Sequence, residues 1–140
     1  MKSIVIATDG SKPSEAAVHA GFELAGETGA KITVVTVRHA ISGAVGAPFS
    51  EEELTKQLAH ARDALAAAES VGQANGAEAD YEILEGDTVE RILEIAGSRD
   101  ADLIVVGSRG RAAITGTLFG SVSRELVTRA DRPVLVVKGD

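Results

Sequence analysis

The sequence predicts an α/β fold, in which a doubly wound sheet of five mainly parallel strands carries helices on both faces. Short apolar runs alternate with longer segments of helical periodicity, in the order βαβαβαβαβ, over a single domain of residues 1–140. The strong runs are nearly continuous, which is typical of strands buried on both faces. We expect the strand order 3-2-1-4-5, so that the first and fourth strands are neighbours. Ligands bind such sheets beyond the carboxyl ends of the strands, where the winding reverses.

Five runs account for the strands. Four of them are rich in β-branched residues and leucine, and they lie at 4–7, 32–37, 103–106 and 134–137. The run at 81–84 alternates polar and apolar residues, which predicts an edge strand. If the last run also lies at an edge, its unpaired backbone groups favour pairing with a second copy of the chain.

Helical patterns fill the gaps between the runs, at about 12–28, at about 51–75, from Asp87 onward and at about 118–130. The second helix is expected to start at the capping box Ser50-x-x-Glu53, and Asp87-x-x-Glu90 opens the third in the same way. One apolar stripe of the second helix is expected to face the sheet, comprising Leu54, Leu58, Ala61, Leu65, Ala68 and Val71. The uncharged segment 40–50 is either a connector or a lid that follows the second strand.

Composition narrows the function classes. The chain has no cysteine, which excludes disulfides and thiolate zinc sites. Its net charge of −7 argues against binding to the phosphate backbone of DNA or RNA. No apolar run approaches the ~18 residues of a membrane span, so we expect a cytoplasmic protein without a membrane partner.

Several common site patterns are missing from the sequence. There is no G-x-x-x-x-G-K-[ST] phosphate loop, no G-x-G-x-x-G dinucleotide fingerprint after the first strand and no G-x-S-x-G nucleophile turn. The three histidines have no metal-ligand spacing, so no metal site is expected. We interpret His19 and His60 as helix-surface residues. His39, which follows the second strand, is either a solvated loop residue or a residue that lines the crevice.

The most informative pattern is Gly107-x2-Gly110-x9-Gly120-Ser121, which joins the end of the fourth strand to the start of the last helix. Glycines allow backbone N–H groups to approach an anion without a Cβ in the way. The first turn of the following helix adds unpaired N–H donors and the positive end of the helix dipole. The placement therefore predicts a phosphate site, in which Gly107 and Gly110 allow a tight bend under the phosphates.

With Thr8-Asp9 after the first strand, this pattern resembles the universal stress protein family, whose ATP-binding members carry G-x2-G-x9-G-[ST] here. The resemblance covers residues 4–137 and implies an ATP-binding regulatory protein of the stress response, with Mg²⁺ carried by the nucleotide. It also implies a homodimer formed through the last strand, and it places Val37 near the adenine. We expect the nucleotide to contact Thr8, Asp9, Val37, Gly107, Arg109, Gly110, Gly120, Ser121, Val122 and Ser123.

Each expected contact has a physical rationale and an alternative. The Asp9 carboxylate can accept ribose hydroxyls or help to hold Mg²⁺, or it can cap the turn before the first helix. The hydroxyls of Ser121 and Ser123 can donate to phosphate oxygens, or they can be capping groups. Arg109 can pair with a phosphate or lie on the surface.

Three functions are compatible with the sequence. The first is a regulatory protein that holds ATP as a signal, with slow or negligible turnover because no residue is placed as an obvious general base. The second is a slow ATPase, or a protein that phosphorylates itself at Ser121, Ser123 or Thr115. The third is a ligand-free dimeric adaptor whose glycine loop is structural. The sequence identifies no catalytic residue and no protein partner.

Overall fold

The computed structural model describes residues 1–38, 51–109 and 120–139. The described chain contains five strands, β1 (Ser3–Ala7), β2 (Lys31–Arg38), β3 (Ala79–Glu85), β4 (Leu103–Gly107) and β5 (Val134–Val137). Its helices are α1 (Lys12–Thr28), α2 (Glu51–Ala74), α3 (Thr88–Ser98) and α4 (Ser121–Arg129). All four strand pairs are parallel and the order is β3-β2-β1-β4-β5, which confirms the predicted fold and strand order.

The sheet separates two apolar cores. Alternate residues of the central strands point to opposite faces, as Ile4 and Ile6 do on one side and Val5 on the other. The first core lies under α1 and α2 and includes Phe22, and we call it the α1–α2 face. The second lies under α3 and α4 and includes Ile92 and Leu126, and we call it the α3–α4 face. Because helices cover both faces, the central strands are apolar at nearly every position, as the sequence indicated.

The packing of α2 differs from the predicted stripe. Its buried residues are Ala61, Ala64, Ala68 and Gly72, whereas Leu54, Leu58, Leu65 and Val71 are only partly buried. A β-carbon on Gly72 would lie 2.6 Å from the Tyr81 hydroxyl and 3.0 Å from the Phe22 ring. Small residues therefore form the contact line, because they allow the helix backbone to approach the sheet closely. The leucines flank this line. Burial raises the pKa of Tyr81, and the negative charge of Glu69 adds a smaller effect in the same direction.

The helix starts follow capping chemistry. The Ser11 side chain accepts a hydrogen bond from the Ser14 backbone N–H at the start of α1, and Asp87 accepts one from Glu90 at the start of α3. The predicted start of the last helix was too early. Gly120 has extended backbone angles (φ −74°, ψ 168°), so α4 begins at Ser121. The proposed cap Ser50 lies outside the described residues.

The two edge strands differ in chemistry. On β3, Asp80 and Glu82 form ion pairs with Arg99, which place charged groups along that edge. Strand β5 is apolar, and 38% of the Leu135 surface is exposed. The sequence anticipated both edges, and the β5 edge is the one with an exposed apolar side chain. In the described ranges, no helix has the combined length and apolarity needed to cross a membrane.

Candidate functional site

The ends of β1 and β4 lie side by side. The two strands are paired in register, with Ile6 opposite Val105, so the chain segments that follow them leave the same edge of the sheet. On the other side of β1 lies β2, whose register places Ala7 opposite Val35 two residues before Val37. This arrangement brings the predicted carboxylate and the predicted glycine segment to one crevice, as expected for a doubly wound sheet.

The turn of residues 8–11, which we call the Asp9 turn, is held by its own side chains. Asp9 Oδ1 accepts hydrogen bonds from the Ser11 backbone N–H and from the Ser14 hydroxyl, each at 2.9 Å. The Thr8 hydroxyl accepts one from the N–H of Gly10, whose φ of +83° suits glycine. The bond from Ser11 is the Asx-type turn that was the alternative interpretation of Asp9. The carboxylate therefore has a fixed place in the turn that follows β1.

A histidine from α2 supports the same turn. His60 Nε2 lies 2.9 Å from the main-chain carbonyl oxygen of Asp9. Because a carbonyl only accepts, this ring nitrogen carries the proton and donates. His60 is half-buried, so its interpretation as a surface residue was wrong, whereas His19 is exposed as expected. The contact ties α2 to the turn that carries the candidate ligand-binding carboxylate.

Gly107 allows α1 to approach the end of β4. A β-carbon at this position would lie 2.6 Å from the main-chain carbon and oxygen of Pro13, and 2.8 Å from the Ser14 nitrogen. A β-carbon at Gly139 would lie 2.6 Å from the Cα of Pro13. The chain after β4 and the chain after β5 therefore both press on the first turn of α1. This packing is enough to explain why residue 107 is a glycine. It adds to the tight bend that the sequence suggested at this position.

The two residues that flank the segment 109–119, Ser108 and Gly120, are hydrogen-bonded to each other. The Ser108 carbonyl accepts hydrogen bonds from the Gly120 N–H and from the Ser123 hydroxyl, the latter at 3.0 Å. The Ser108 N–H in turn donates to the Val137 carbonyl at 2.8 Å. The base of the segment is thus fixed to β5 and to the start of α4. Arg109 is half-buried at this base, and Gly110 lies outside the described residues.

These contacts change what Ser123 and Gly120 can offer a ligand. The Ser123 side chain is buried, with 2% of its surface exposed, and its hydroxyl also lies 3.1 Å from the Gly120 carbonyl. The Ser123 hydroxyl and the Gly120 backbone therefore already make hydrogen bonds within the protein at the base of the segment. Ser121 is exposed and Val122 is half-buried against the α3–α4 face, on the same side as Val37.

The N-terminus of α4 has the features of an anion site. Its N-cap residue Gly120 makes no side-chain capping hydrogen bond, whereas α1 and α3 are capped by Ser11 and Asp87. The first turn of α4 contains no acidic residue. The N–H groups and the positive end of the helix dipole at this helix start therefore have no protein anion from a side-chain cap. This arrangement is suited to holding a phosphate.

Sequence reasoning missed the contacts of three residues: the Ser14 hub, the His60 support and the Ser108 anchor. His60 directly precedes Ala61 and lies one turn before Ala64, both of which are buried, so its position beside the contact line of α2 was an available signal. Ser108 acts through its backbone carbonyl, a group that every residue has, so the residue type does not reveal this role.

Comparison with known proteins identifies the family. The model of the universal stress protein family matches residues 1–138. The chain belongs to this family. A universal stress protein of Thermus aquaticus is 34% identical over 137 residues, which cover 98% of each chain. The predicted family is therefore confirmed.

Two solved structures of universal stress proteins, each with a bound nucleotide, are similar to this chain. One, in complex with cAMP, superimposes with a TM-score of 0.77 at 29% identity and covers 99% of this chain and 98% of its own. The other, from Archaeoglobus fulgidus in complex with dAMP, has a TM-score of 0.75 at 26% identity, with coverage of 99% and 98%. Both ligands are adenine nucleotides with a single phosphate.

We predict that Ser123→Ala lowers the free energy of unfolding by about 1–2 kcal/mol, because the buried Ser108 carbonyl loses a donor. Urea unfolding monitored by circular dichroism measures this change. Thr128→Ala is the matched control, since Thr128 is an exposed hydroxyl residue of the same helix and bonds the Arg124 carbonyl one turn earlier. Equal stabilities for the two variants would contradict a structural role for the Ser123 hydroxyl.

Proposed function

We propose that this universal stress protein binds an adenine nucleotide in the crevice beyond the ends of β1 and β4. The observation that carries the proposal is the meeting, at one sheet edge, of a fixed carboxylate and a helix N-terminus without a side-chain cap. The cAMP and dAMP complexes of related universal stress proteins support the choice of an adenine nucleotide. In the cell, the bound nucleotide is ATP and the protein acts in the cytoplasm as a regulator of the stress response.

The phosphates lie at the start of α4. The backbone N–H groups of Ser121 and Val122 supply donors there, and the exposed Ser121 hydroxyl adds another. Gly110 and Arg109 contribute from the segment before the helix, Gly110 by close approach of its backbone and Arg109 by charge. Ser123 contributes its backbone, since its hydroxyl holds the Ser108 carbonyl. Most of these donors are main-chain groups, which explains how an acidic protein can hold an anion.

The nucleoside lies between the Asp9 turn and the end of β2. The Asp9 carboxylate is an acceptor and suits the ribose hydroxyls, while Val37 offers an apolar contact for the base. The Thr8 hydroxyl bonds Gly10 and Ser14, so Thr8 shapes the turn beneath the ribose. Mg²⁺ arrives with the nucleotide, bound to the phosphates. The described residues contain no cluster of three or more histidine and acidic side chains suited to a metal.

The site favours holding ATP over hydrolysing it. A general base has to reach an attacking water, and the described carboxylate and histidine, Asp9 and His60, already bond groups of the turn. Asp9 Oδ1 accepts two hydrogen bonds, and His60 donates its Nε2 proton to a carbonyl. Ser123 is buried, which disfavours it as an acceptor of a phosphoryl group. The nucleotide therefore acts as a bound signal.

We also propose that two copies pair through β5. Among the described strands, β5 is the last of the parallel sheet on that side, Leu135 is exposed, and Val127 on α4 has 58% of its surface exposed. Pairing of this strand with its symmetry mate satisfies the backbone and covers the apolar side chain.

We predict that the protein binds ATP in isothermal titration calorimetry, and that gently purified protein carries an adenine nucleotide detectable by mass spectrometry. Gly120→Val should weaken ATP binding by at least about tenfold, because a β-branched side chain blocks the close approach of a phosphate. The extended backbone angles at this position suit valine. Thr128→Val on the exposed face of α4 is the control and should bind as the wild type does. An absence of binding heat in folded wild-type protein would overturn the proposal.

We predict that the wild type sediments as a dimer at micromolar concentration, and that Leu135→Lys shifts it to the 14.4 kDa monomer. A lysine there places a charge at the edge where the two copies meet. Gln73→Lys adds the same charge at an exposed position of α2 and should leave the dimer intact. A monomeric wild type in analytical ultracentrifugation would contradict the dimer.

A further inference from the structure

Ser14 is the most connected side chain at the crevice. It lies in the first turn of α1, and only 5% of its surface is exposed. Its hydroxyl oxygen is 2.9 Å from Asp9 Oδ1, 3.0 Å from the Thr8 hydroxyl and 3.2 Å from the Asp9 backbone nitrogen. It is also 3.0 Å from the Ser11 carbonyl and 3.2 Å from the Ser11 hydroxyl. A helix-capping role does not require this set of contacts, because Ser11 already caps α1.

Counting protons gives the hydrogen bonds a direction. A serine hydroxyl has one proton to donate and two lone pairs. An ionised carboxylate is the stronger of the two acceptors within reach, so Ser14 donates to Asp9 Oδ1 in preference to the Ser11 carbonyl. Because the Ser14 proton goes to Asp9, the bond between Thr8 and Ser14 uses the Thr8 proton. The Thr8 hydroxyl therefore accepts from the Gly10 N–H and donates to Ser14. The result is a directed chain from Thr8 through Ser14 to Asp9, in which every step lies inside the protein.

Ser14 also has little freedom to move. The main chain of Pro13 and the Ser14 nitrogen lie against the Cα of Gly107, at distances that leave no room for a β-carbon. The hydroxyl is therefore presented to Asp9 by a helix turn wedged against β4. On the opposite side of the turn, His60 holds the Asp9 carbonyl. The carboxylate is thus oriented by Ser14, while its backbone is held by α2.

We propose that Ser14 is the positioning residue of the nucleotide site, and that its hydroxyl orients the Asp9 carboxylate to accept the ribose hydroxyls. This inference rests on the proposed nucleotide binding. Ser14 acts through Asp9 and does not touch the ligand. Its loss should therefore affect only those ligands that have ribose hydroxyls for Asp9 to bind.

The test compares AMP with 2′,3′-dideoxyadenosine monophosphate, which has the same base and phosphate and lacks both ribose hydroxyls. We expect Ser14→Ala to weaken AMP binding by about fivefold to tenfold, and binding of the dideoxy ligand by less than about twofold, in isothermal titration calorimetry. Ser98→Ala is the matched control. It makes the same chemical change at an exposed serine of α3, outside the Asp9 turn and the start of α4, where the hydroxyl bonds the Ile95 carbonyl. We expect this variant to bind both ligands nearly as the wild type does.

A second arm measures the coupling directly. In an Asp9→Ala background, Ser14→Ala should cause no further loss of AMP affinity, because the group that it orients is gone. If Ser14→Ala does not fold, Ser14→Cys replaces it, since a thiol is a weak donor of nearly the same shape. The same ligand-selective loss is then expected.

The outcomes separate the two proposals. Equal losses for both ligands in the Ser14 variant, or a loss that persists in the Asp9→Ala background, would overturn the positioning role while leaving nucleotide binding intact. A selective loss in Ser98→Ala as large as that in Ser14→Ala would also overturn it. A wild type that binds neither ligand would overturn the proposed function itself.

Discussion

The site depends on one close contact, that of the first turn of α1 with the end of β4. Gly107 allows this contact because no side chain separates its Cα from the main chain of Pro13. The same turn presents Ser14 to Asp9, and Gly139 presses on it from the chain after β5. The contact therefore holds the carboxylate at the end of β1 beside the segment that leaves β4. A larger residue at position 107 would separate the two halves of the crevice even if every strand remained in place.

Much of the fold was predictable because burial on both faces of a parallel sheet imposes a strong constraint on sequence. Runs such as 103–106 are apolar throughout, and their alternation with helical segments leaves few topologies. The bounds of α1 followed from its pattern, and Asp87 marked the start of α3. The predicted stripe of α2 was less accurate, since periodicity finds the large apolar residues, whereas alanines and a glycine make the closest approach.

The sequence predicts where the candidate site lies, and it does not predict the contacts of the polar groups there. A strand followed by glycines and a helix start indicates where an anion can bind, because that geometry is local in sequence. The partners of its polar groups are not local. Ser123 bonds a carbonyl 15 residues earlier, and His60 supports a carbonyl 51 residues away. Such contacts depend on how the elements pack, so residue type alone left the Ser123 hydroxyl open between a ligand contact and a capping role, and it placed His60 on the surface.

The central claim is that the N-terminus of α4 and the Asp9 turn bind one nucleotide together. Amide chemical shifts of ¹⁵N-labelled protein, followed by NMR during titration with ATP, test it most directly. The account predicts that the amides of Gly10, Ser121 and Val122 shift along one saturating curve, while those of Thr88 and Val89 at the capped start of α3 remain in place. Shifts at α3 without shifts at α4, or saturation of the Asp9 turn and α4 at different ATP concentrations, would contradict a single shared site.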